Sequence, residues 1–270
     1  MSNLTFELTD GVATLTMNRP DARNALSAEM KDEFARLVPA IAADKSIRAV
    51  ILTGAGGAFC AGGDIRGMAE ARASGTATVE TWRDRMREVQ PWMRQLVELD
   101  KPLIAAVDGP AFGAGFSLAL MADFVVATPT ARFCLSFMRV GLVPDFAAMY
   151  TLPRVVGVQR AKELMLSARE VAVDEALRLG LVLEVAPAEG LMDRARALAR
   201  SFVGASALGV SLIKREVGMA LATDLTTQLT LEANDQALCF ETPYQAEAVR
   251  RFLAKQPAAF RWPQPPRDEA

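Results

Sequence analysis

Three short runs of uninterrupted apolar residues constrain this chain more than any other feature. Ala49-Val50-Ile51-Leu52-Thr53 ends in glycines, Leu103-Ile104-Ala105-Ala106-Val107 ends at Asp108-Gly109, and Phe124-Val125-Val126-Ala127 forms the third. A strand with one wetted face alternates polar and apolar residues, so unbroken runs of this length suit strands buried on both faces. Between the first two lies a long segment with helical spacing at Val79, Trp82, Met86 and Val89, which Pro91 is expected to interrupt. Residues 161–181 read as helix, turn and helix. The order strand, helix, strand, helix predicts an α/β domain.

The ends of the chain read more locally. Leu4 to Leu8 and Val12 to Met17 alternate around Asp10-Gly11, a hairpin whose turn tolerates positive φ. Ser27 stands as N-cap before a helical pattern at Met30, Phe34, Leu37 and Ile41. From about residue 201 only helical patterns remain. Leu212, Ile213, Val217, Met219 and Leu221 make one apolar set, with Leu225, Leu229 and Leu231 leading into another. This divides the chain into a core at 1–200 and a helical region at 201–270, whose apolar surface is expected to dock on its own domain or on a neighbouring subunit. A Pro-rich stretch at 257–266 is the one low-complexity segment.

Composition narrows the chemistry by what it lacks. Of 270 residues 51% are hydrophobic, enough for one large core and a smaller appendage. The net charge of −2 implies no basic face, so neither nucleic acid nor an anionic membrane is an expected partner. No run is apolar for long enough to span a bilayer, and MSNLTFELTDG has neither the basic start nor the apolar stretch of a signal peptide; the cytoplasm is the expected address. Cys60, Cys134 and Cys239 are odd in number and unpaired in spacing, which speaks against a disulfide framework or zinc knuckle. There is no histidine. That removes Ser-His and Cys-His nucleophile systems and His-containing metal sites, so no metal is expected and acid–base work falls to carboxylates, tyrosine or lysine.

Two glycine-rich turns concentrate the remaining signal. Phe59-Cys60-Ala61-Gly62-Gly63-Asp64-Ile65 follows the first apolar run, and Asp108-Gly109-Pro110-Ala111-Phe112-Gly113-Ala114-Gly115-Phe116 follows the second. Small residues after a buried strand let backbone approach a ligand, and two N–H donors aimed at one oxygen make an oxyanion hole, worth about 3–4 kcal/mol per donor. The alternative is a pair of tight turns that only pack a strand on a helix. Gly109, Gly113 and Gly115 do not have the spacing of a dinucleotide fingerprint.

Taken together, the two turns resemble the crotonase (enoyl-CoA hydratase/isomerase) superfamily. Leu52-Thr53-Gly54 through Ile65 is similar to that family's first oxyanion segment, and Lys101-Pro102 through Ala122-Asp123 to its second. Asn18-Arg19-Pro20 with Asn24-Ala25-Leu26, Val140-Gly141-Leu142-Val143-Pro144-Asp145, Leu152-Pro153-Arg154-Val155-Val156-Gly157 and Phe252-Leu253-Ala254-Lys255 also match, in order and over nearly the whole chain. The resemblance implies a spiral of ββα units followed by a helical trimerisation region, a homotrimer or homohexamer, and a coenzyme A thioester as substrate with no permanently bound cofactor. It implies that the N–H groups of Gly63 and Ala114 hold the thioester oxygen, that Arg23, Ala25 and Ala61 lie along the coenzyme, and that Phe252 and Lys255 reach a neighbouring subunit's nucleotide. Arg23 and Lys255 read equally well as solvated surface charges.

The resemblance leaves the reaction open. Hydratases of this family carry two glutamates where this chain has Ser117 and Phe137, and neither residue titrates usefully. The remaining carboxylate is Asp145, at a place where isomerases resembling this chain, the Δ3,Δ2-enoyl-CoA and phenylacetate-type ring isomerases, use an aspartate for proton transfer. Phe137, Met138, Val143, Phe146 and Met149 are expected to desolvate it and raise its pKa. Asp145 reads otherwise as the N-cap of a helix at 146–150. Asp64 is expected to cap a helix and Asp123 to close one. Ser117, Phe137 and Met138 are expected at the substrate pocket, with Ser117 alternatively a small helix-packing residue. Rival readings are a hydratase using Asp145 alone and a non-catalytic acyl-CoA scaffold. A 4-halobenzoyl-CoA dehalogenase lacks its histidine and tryptophan here, at Gln90 and Phe137, and the acidic balance opposes an RNA-binding member.

Overall fold

The computed structural model describes residues 2–264. The chain opens with the hairpin β1 (Leu4–Thr9) and β2 (Val12–Met17), then α1 (Ala28–Ala43), β3 (Ala49–Gly54), α2 (Ile65–Ala73) and α3 (Val79–Val97). β4 (Leu103–Val107), β5 (Pro110–Phe112), α4 (Ala114–Ala119), β6 (Phe124–Ala127) and β7 (Arg132–Cys134) follow. Next come α5 (Ala148–Val156), α6 (Val158–Ser167), β8 (Val171–Ala172), α7 (Val173–Arg178), β9 (Glu184–Val185) and α8 (Leu191–Ser201). Three helices end the chain: α9 (Ala207–Met219), α10 (Leu225–Phe240) and α11 (Pro243–Leu253).

A main sheet orders its strands β1-β2-β3-β4-β6-β9, antiparallel only between β1 and β2. Asp10 and Gly11 both take positive φ in the hairpin turn, as two-residue turns of the right twist demand. The apolar runs are strands, and the reason they do not alternate is visible in the packing. Val50 and Leu52 of β3, and Leu103, Ala105 and Val107 of β4, face the larger core with α1 and α3. Ala49, Ile51, Ile104, Ala106 and Val126 face a second core with Leu191, Ala195 and Leu198 of α8. The sheet is covered on both sides. A small sheet, β5-β7-β8, stands apart from it.

Ser27 caps α1 by accepting from Met30 N, and Asp64 caps α2 by accepting from Gly67 N. Two expectations need correction. Pro91 does not interrupt its helix: α3 runs through it, because Pro91 and Arg87, whose carbonyl loses its partner, are both exposed and water can take the bond. Asp123 closes no helix. Its Oδ2 accepts from Leu103 N at the start of β4 and from Lys214 Nζ of α9, tying the helical region to the sheet.

Beyond residue 201 the chain is helical as far as Leu253, but its apolar set is split. Leu212 is buried, whereas Ile213, Val217, Leu221, Leu225 and Leu229 are exposed. No described helix is long and apolar enough to cross a membrane. The Pro-rich stretch, described as far as Gln264, returns to the core. Phe260 and Trp262 pack against Phe202, and Trp262 stands edge-on to Phe124. Arg194, 7% exposed, holds Glu184 through two bonds and donates to Pro263 O and Gln264 O.

Arg194→Ala leaves Glu184 enclosed without its counter-charge and releases the tail. It should cost about 3–5 kcal/mol in urea unfolding and shift tryptophan fluorescence to the red in the native baseline.

Candidate active site

β3 and β4 are parallel neighbours, so the segments leaving their C-terminal ends emerge on the same edge of the sheet, where α/β folds bind ligands. These two segments pair again. Cys60 bridges Ala111 in parallel, with Cys60 N donating to Pro110 O (3.1 Å) and Phe112 N to Cys60 O (2.8 Å). Past that bridge the first turn leaves the second and Gly63 pairs in parallel with Leu26. A Cβ on Gly115 would lie 2.2 Å from Cys60 O, and one on Gly62 would lie 2.8 Å from Phe112 O and 3.5 Å from Ala114 N. Gly62 and Gly113 also take positive φ. The glycines here are steric requirements of the close approach. Ala114 opens α4, so its N–H has no acceptor within the helix. Among the described residues neither the Gly63 nor the Ala114 N–H donates to a protein acceptor.

Buried Asn24 holds the first turn. Its Oδ1 accepts from Arg19 N (2.8 Å), and its Nδ2 donates to Ala55 O (2.8 Å) and Ala58 O (2.7 Å). Arg23 and Asn24 both take positive φ, and Arg23 O accepts from Ala61 N (2.9 Å). Leu26 N donates to Gly62 O. The fold therefore gathers Arg23, Ala25 and Ala61 at the mouth of the first turn, with the Arg23 side chain exposed. Phe252 and Lys255 lie elsewhere, at the end of α11, and Phe252 is 82% exposed.

Asp145 lies between Pro144 and Phe146, both buried. It is not a helix cap: α5 begins at Ala148 after Ala147, and only the Asp145 carbonyl accepts, from Ala148 N. Phe146 and Ala147 both hold positive φ, a conformation that costs non-glycine residues about 1–3 kcal/mol and gathers at functional sites. Asp145 Oδ1 is enclosed without a hydrogen-bond partner. Burial pushes the pKa up to about 6, against the opposing pull of Lys31. Of the residues expected to desolvate it, Phe137 and Phe146 are buried and the other three are not. Met138, Val143 and Met149 are 46%, 68% and 53% exposed. Phe146 is joined to other elements: Phe34 of α1 stacks on Trp92 of α3 at 4.9 Å, and Trp92 meets Phe146 edge-on at 5.7 Å.

Of the expected pocket residues, Phe137 is buried with its ring tip 4.0 Å from where a Gly113 Cβ would stand. Met138 is on the surface. Ser117 is fully buried and donates to Gly113 O (3.3 Å), the position of a helix-packing residue rather than one open to a ligand. Met68 and Lys31 escaped the sequence reading, whereas Trp92 reads there as either pocket or core. Met68 covers Gly63, its Cε 2.8 Å from an ideal Cβ there. Trp92 Nε1 is buried without a partner. Lys31 of α1, half-buried, feels the charges of Asp145, Arg85, Asp64 and Asp32. Asp64, next to Gly63, and Asp145 thus lie within range of one ammonium.

The description enoyl-CoA hydratase/isomerase matches residues 7–263. The chain belongs to that family. It is 38% identical over 250 residues to the 1,2-epoxyphenylacetyl-CoA isomerase of Escherichia coli, covering 93% of this chain and 95% of that one. It is 35% identical over 256 residues to the short-chain-enoyl-CoA hydratase of Clostridium acetobutylicum, covering 94% and 96%. A crystal structure of an enoyl-CoA hydratase/isomerase from Cupriavidus metallidurans superposes with a TM-score of 0.91 at 41% identity, over 98% of each chain. The fold is the crotonase fold, and the chain is an enzyme of the crotonase superfamily.

A buried carboxyl whose folded pKa is raised binds its proton more tightly in the folded chain than in the unfolded one. Its contribution to stability is full below the unfolded value near 4 and is lost as pH rises through about 6. Asp145→Asn should therefore stabilise this crotonase at pH 8 by up to about 3 kcal/mol, with the gap closing at pH 4, as read by urea unfolding at the two pH values.

Proposed function

We propose that this crotonase is an enoyl-CoA isomerase, which moves a double bond through a thioester enolate with Asp145 as the proton carrier. The observation that carries the reading is a single desolvated carboxylate, with Ser117 and Phe137 standing where hydratases of the family have glutamates. A base working near neutrality needs a pKa lifted toward 7, and burial supplies the lift. The Asp145 carboxylate takes a proton from C2 of the acyl chain, and the electron pair moves onto the thioester oxygen. The N–H groups of Gly63 and Ala114 stabilise that oxygen while it is negative. Asp145 then returns the proton at C4 as the electrons flow back. The proton lost at one carbon is regained at another, so one carboxyl serves both steps. The likeness to the Escherichia coli isomerase adds weight to this direction.

Arg23, Ala25 and Ala61 would run along the coenzyme A moiety. The exposed apolar residues of α9 and α10, with Phe252 on α11, argue for a homotrimer or a homohexamer, in which Phe252 and Lys255 would reach a partner's nucleotide. Coenzyme A enters only as part of the substrate, and a cytoplasmic address fits that substrate. The second reading is a hydratase in which Asp145 alone activates water, favoured by the likeness to the Clostridium acetobutylicum hydratase. A non-catalytic acyl-CoA scaffold would have no use for a desolvated carboxylate.

Incubation of a 3-enoyl-CoA in D2O tests the reading. Wild type should place deuterium at C2, Asp145→Asn should lose at least about 10²-fold in exchange rate, and Ser117→Ala should retain it. Hydration of a 2-enoyl-CoA that persists in Asp145→Asn would defeat the assignment.

A further inference from the structure

α1 presents Met30, Phe34, Leu37, Val38 and Ile41 to the core. Lys31 belongs to the same side: residues 31, 34, 38 and 41 fall at i, i+3, i+7 and i+10, so a lysine occupies the first place of an apolar stripe. A lysine in such a row either snorkels to water or meets something inside. Here the side chain stays half-buried, and among the described residues its ammonium makes no hydrogen bond and no close ion pair. One turn onward, Phe34 stacks on Trp92, and Trp92 abuts Phe146. This line of rings clamps the stripe of α1 against the residue that follows Asp145. Asp145 Oδ1, in turn, is enclosed and unbonded. A half-buried cation without a close partner and an enclosed carboxylate oxygen without a donor thus stand at the two ends of one line of rings, within range of each other's charge but not in direct contact.

We propose that Lys31 is a positioning residue for Asp145, supplying the facing counter-charge that keeps the carboxylate ionised while the aromatic wall excludes water from it. The inference rests on the reading of Asp145 as the proton carrier. Its physical content is the balance of two opposed effects. Burial pushes the carboxyl toward its protonated, non-basic form, whereas an exposed aspartate would be ionised but too weak to take a proton from carbon. A cation held at a distance offsets part of the desolvation without forming the tight pair that would suppress basicity. The reciprocal effect is present: burial lowers the pKa of Lys31, and Asp145 is the largest influence opposing that fall. The other charges facing Lys31 are Arg85 from α3, Asp64 from the first turn, and Asp32 from α1 itself. Asp64 is already paired with Arg19 (3.2 Å) and bonded to Gly67 N. Asp32 is exposed. Arg85, exposed, lies over the Trp82 ring at 4.8 Å. Lys31 is therefore the half-buried cation of the group.

The test is the ionisation of Asp145 itself. In full-length protein labelled with 13C-carboxyl aspartate, the infrared difference between wild type and Asp145→Asn isolates this carboxyl, and its midpoint is followed from pH 4 to 9. Removal of the cation in K31M should raise that midpoint by about one pH unit, and K31R should restore it. The acid limb of the isomerase pH profile should move with it, which predicts about a five-fold lower rate at pH 6 and no change at pH 8.5. If K31M does not fold, K31Q is read the same way. A midpoint unchanged in K31M or K31Q overturns the proposal, as does an equal shift in Arg85→Gln. Should the midpoint move while Asp145→Asn keeps full exchange activity, the positioning role stands and the catalytic reading of Asp145 fails.

Discussion

Everything in the site depends on how closely two pieces of backbone approach. The chain at Cys60 and the chain at Gly115 come together so tightly that a single methyl group would lie 2.2 Å from a carbonyl oxygen. That contact follows from the sheet, because adjacent parallel strands deliver their exits to one edge, and it is locked by the Cys60–Ala111 bridge. In the proposed mechanism it would hold the Gly63 and Ala114 N–H groups by main chain alone, with no side-chain rotamer to fluctuate, a form of preorganisation suited to a developing oxyanion. Asn24 extends the lock outward. Its amide spends both hydrogens on the loop at 55–58, and that loop is what carries the first turn toward the second.

Against this rigid frame the titratable part of the site is built under strain. Two successive non-glycine residues hold the left-handed region beside an enclosed carboxylate oxygen with no donor, and the indole N–H of Trp92, which packs on the first of them, has no acceptor. Each is unfavourable in the isolated chain, and the covered sheet with its two cores supplies the stability that sustains them.

What was legible in the sequence was whatever depends on burial of whole segments. Strands covered on both faces lose their polar residues, so β3, β4 and β6 announce themselves without any alignment, and the glycines after β3 and β4 mark where backbone must approach backbone. Caps such as Ser27 and Asp64 are equally local. Illegible was whatever depends on which separate segments meet. The wall around Asp145 was expected from Phe137, Met138, Val143, Phe146 and Met149, yet only Phe137 and Phe146 are buried, and Phe146 packs on Trp92, which stacks on Phe34, both more than fifty residues away along the chain. Pro91 misled because a proline breaks a helix only where the orphaned carbonyl cannot find water. Lys31 did leave a mark, a charge in the stripe of Phe34, Val38 and Ile41, but a lysine near a helix start reads first as a solvated face. The apolar surface of α9 and α10 is equally plain in sequence, whereas its dock is a matter of assembly.

The division between backbone and side chain explains how one scaffold can serve several reactions. The donor turns are built from glycine, alanine and register, and these say nothing about where a proton goes. That choice is made by side chains projecting from α4, from the 136–140 turn, from the Asp145 loop and from α1. In this chain the first two contribute a serine bonded to its own helix and a buried phenyl ring, and the last two contribute a carboxylate and a distant ammonium. With Ser117 and Phe137 at these positions, neither place offers an ionisable group. On the reading proposed above, what remains is a single acid–base group at Asp145, raised by burial, and such a group would suit lifting a proton from one carbon and setting it down on another.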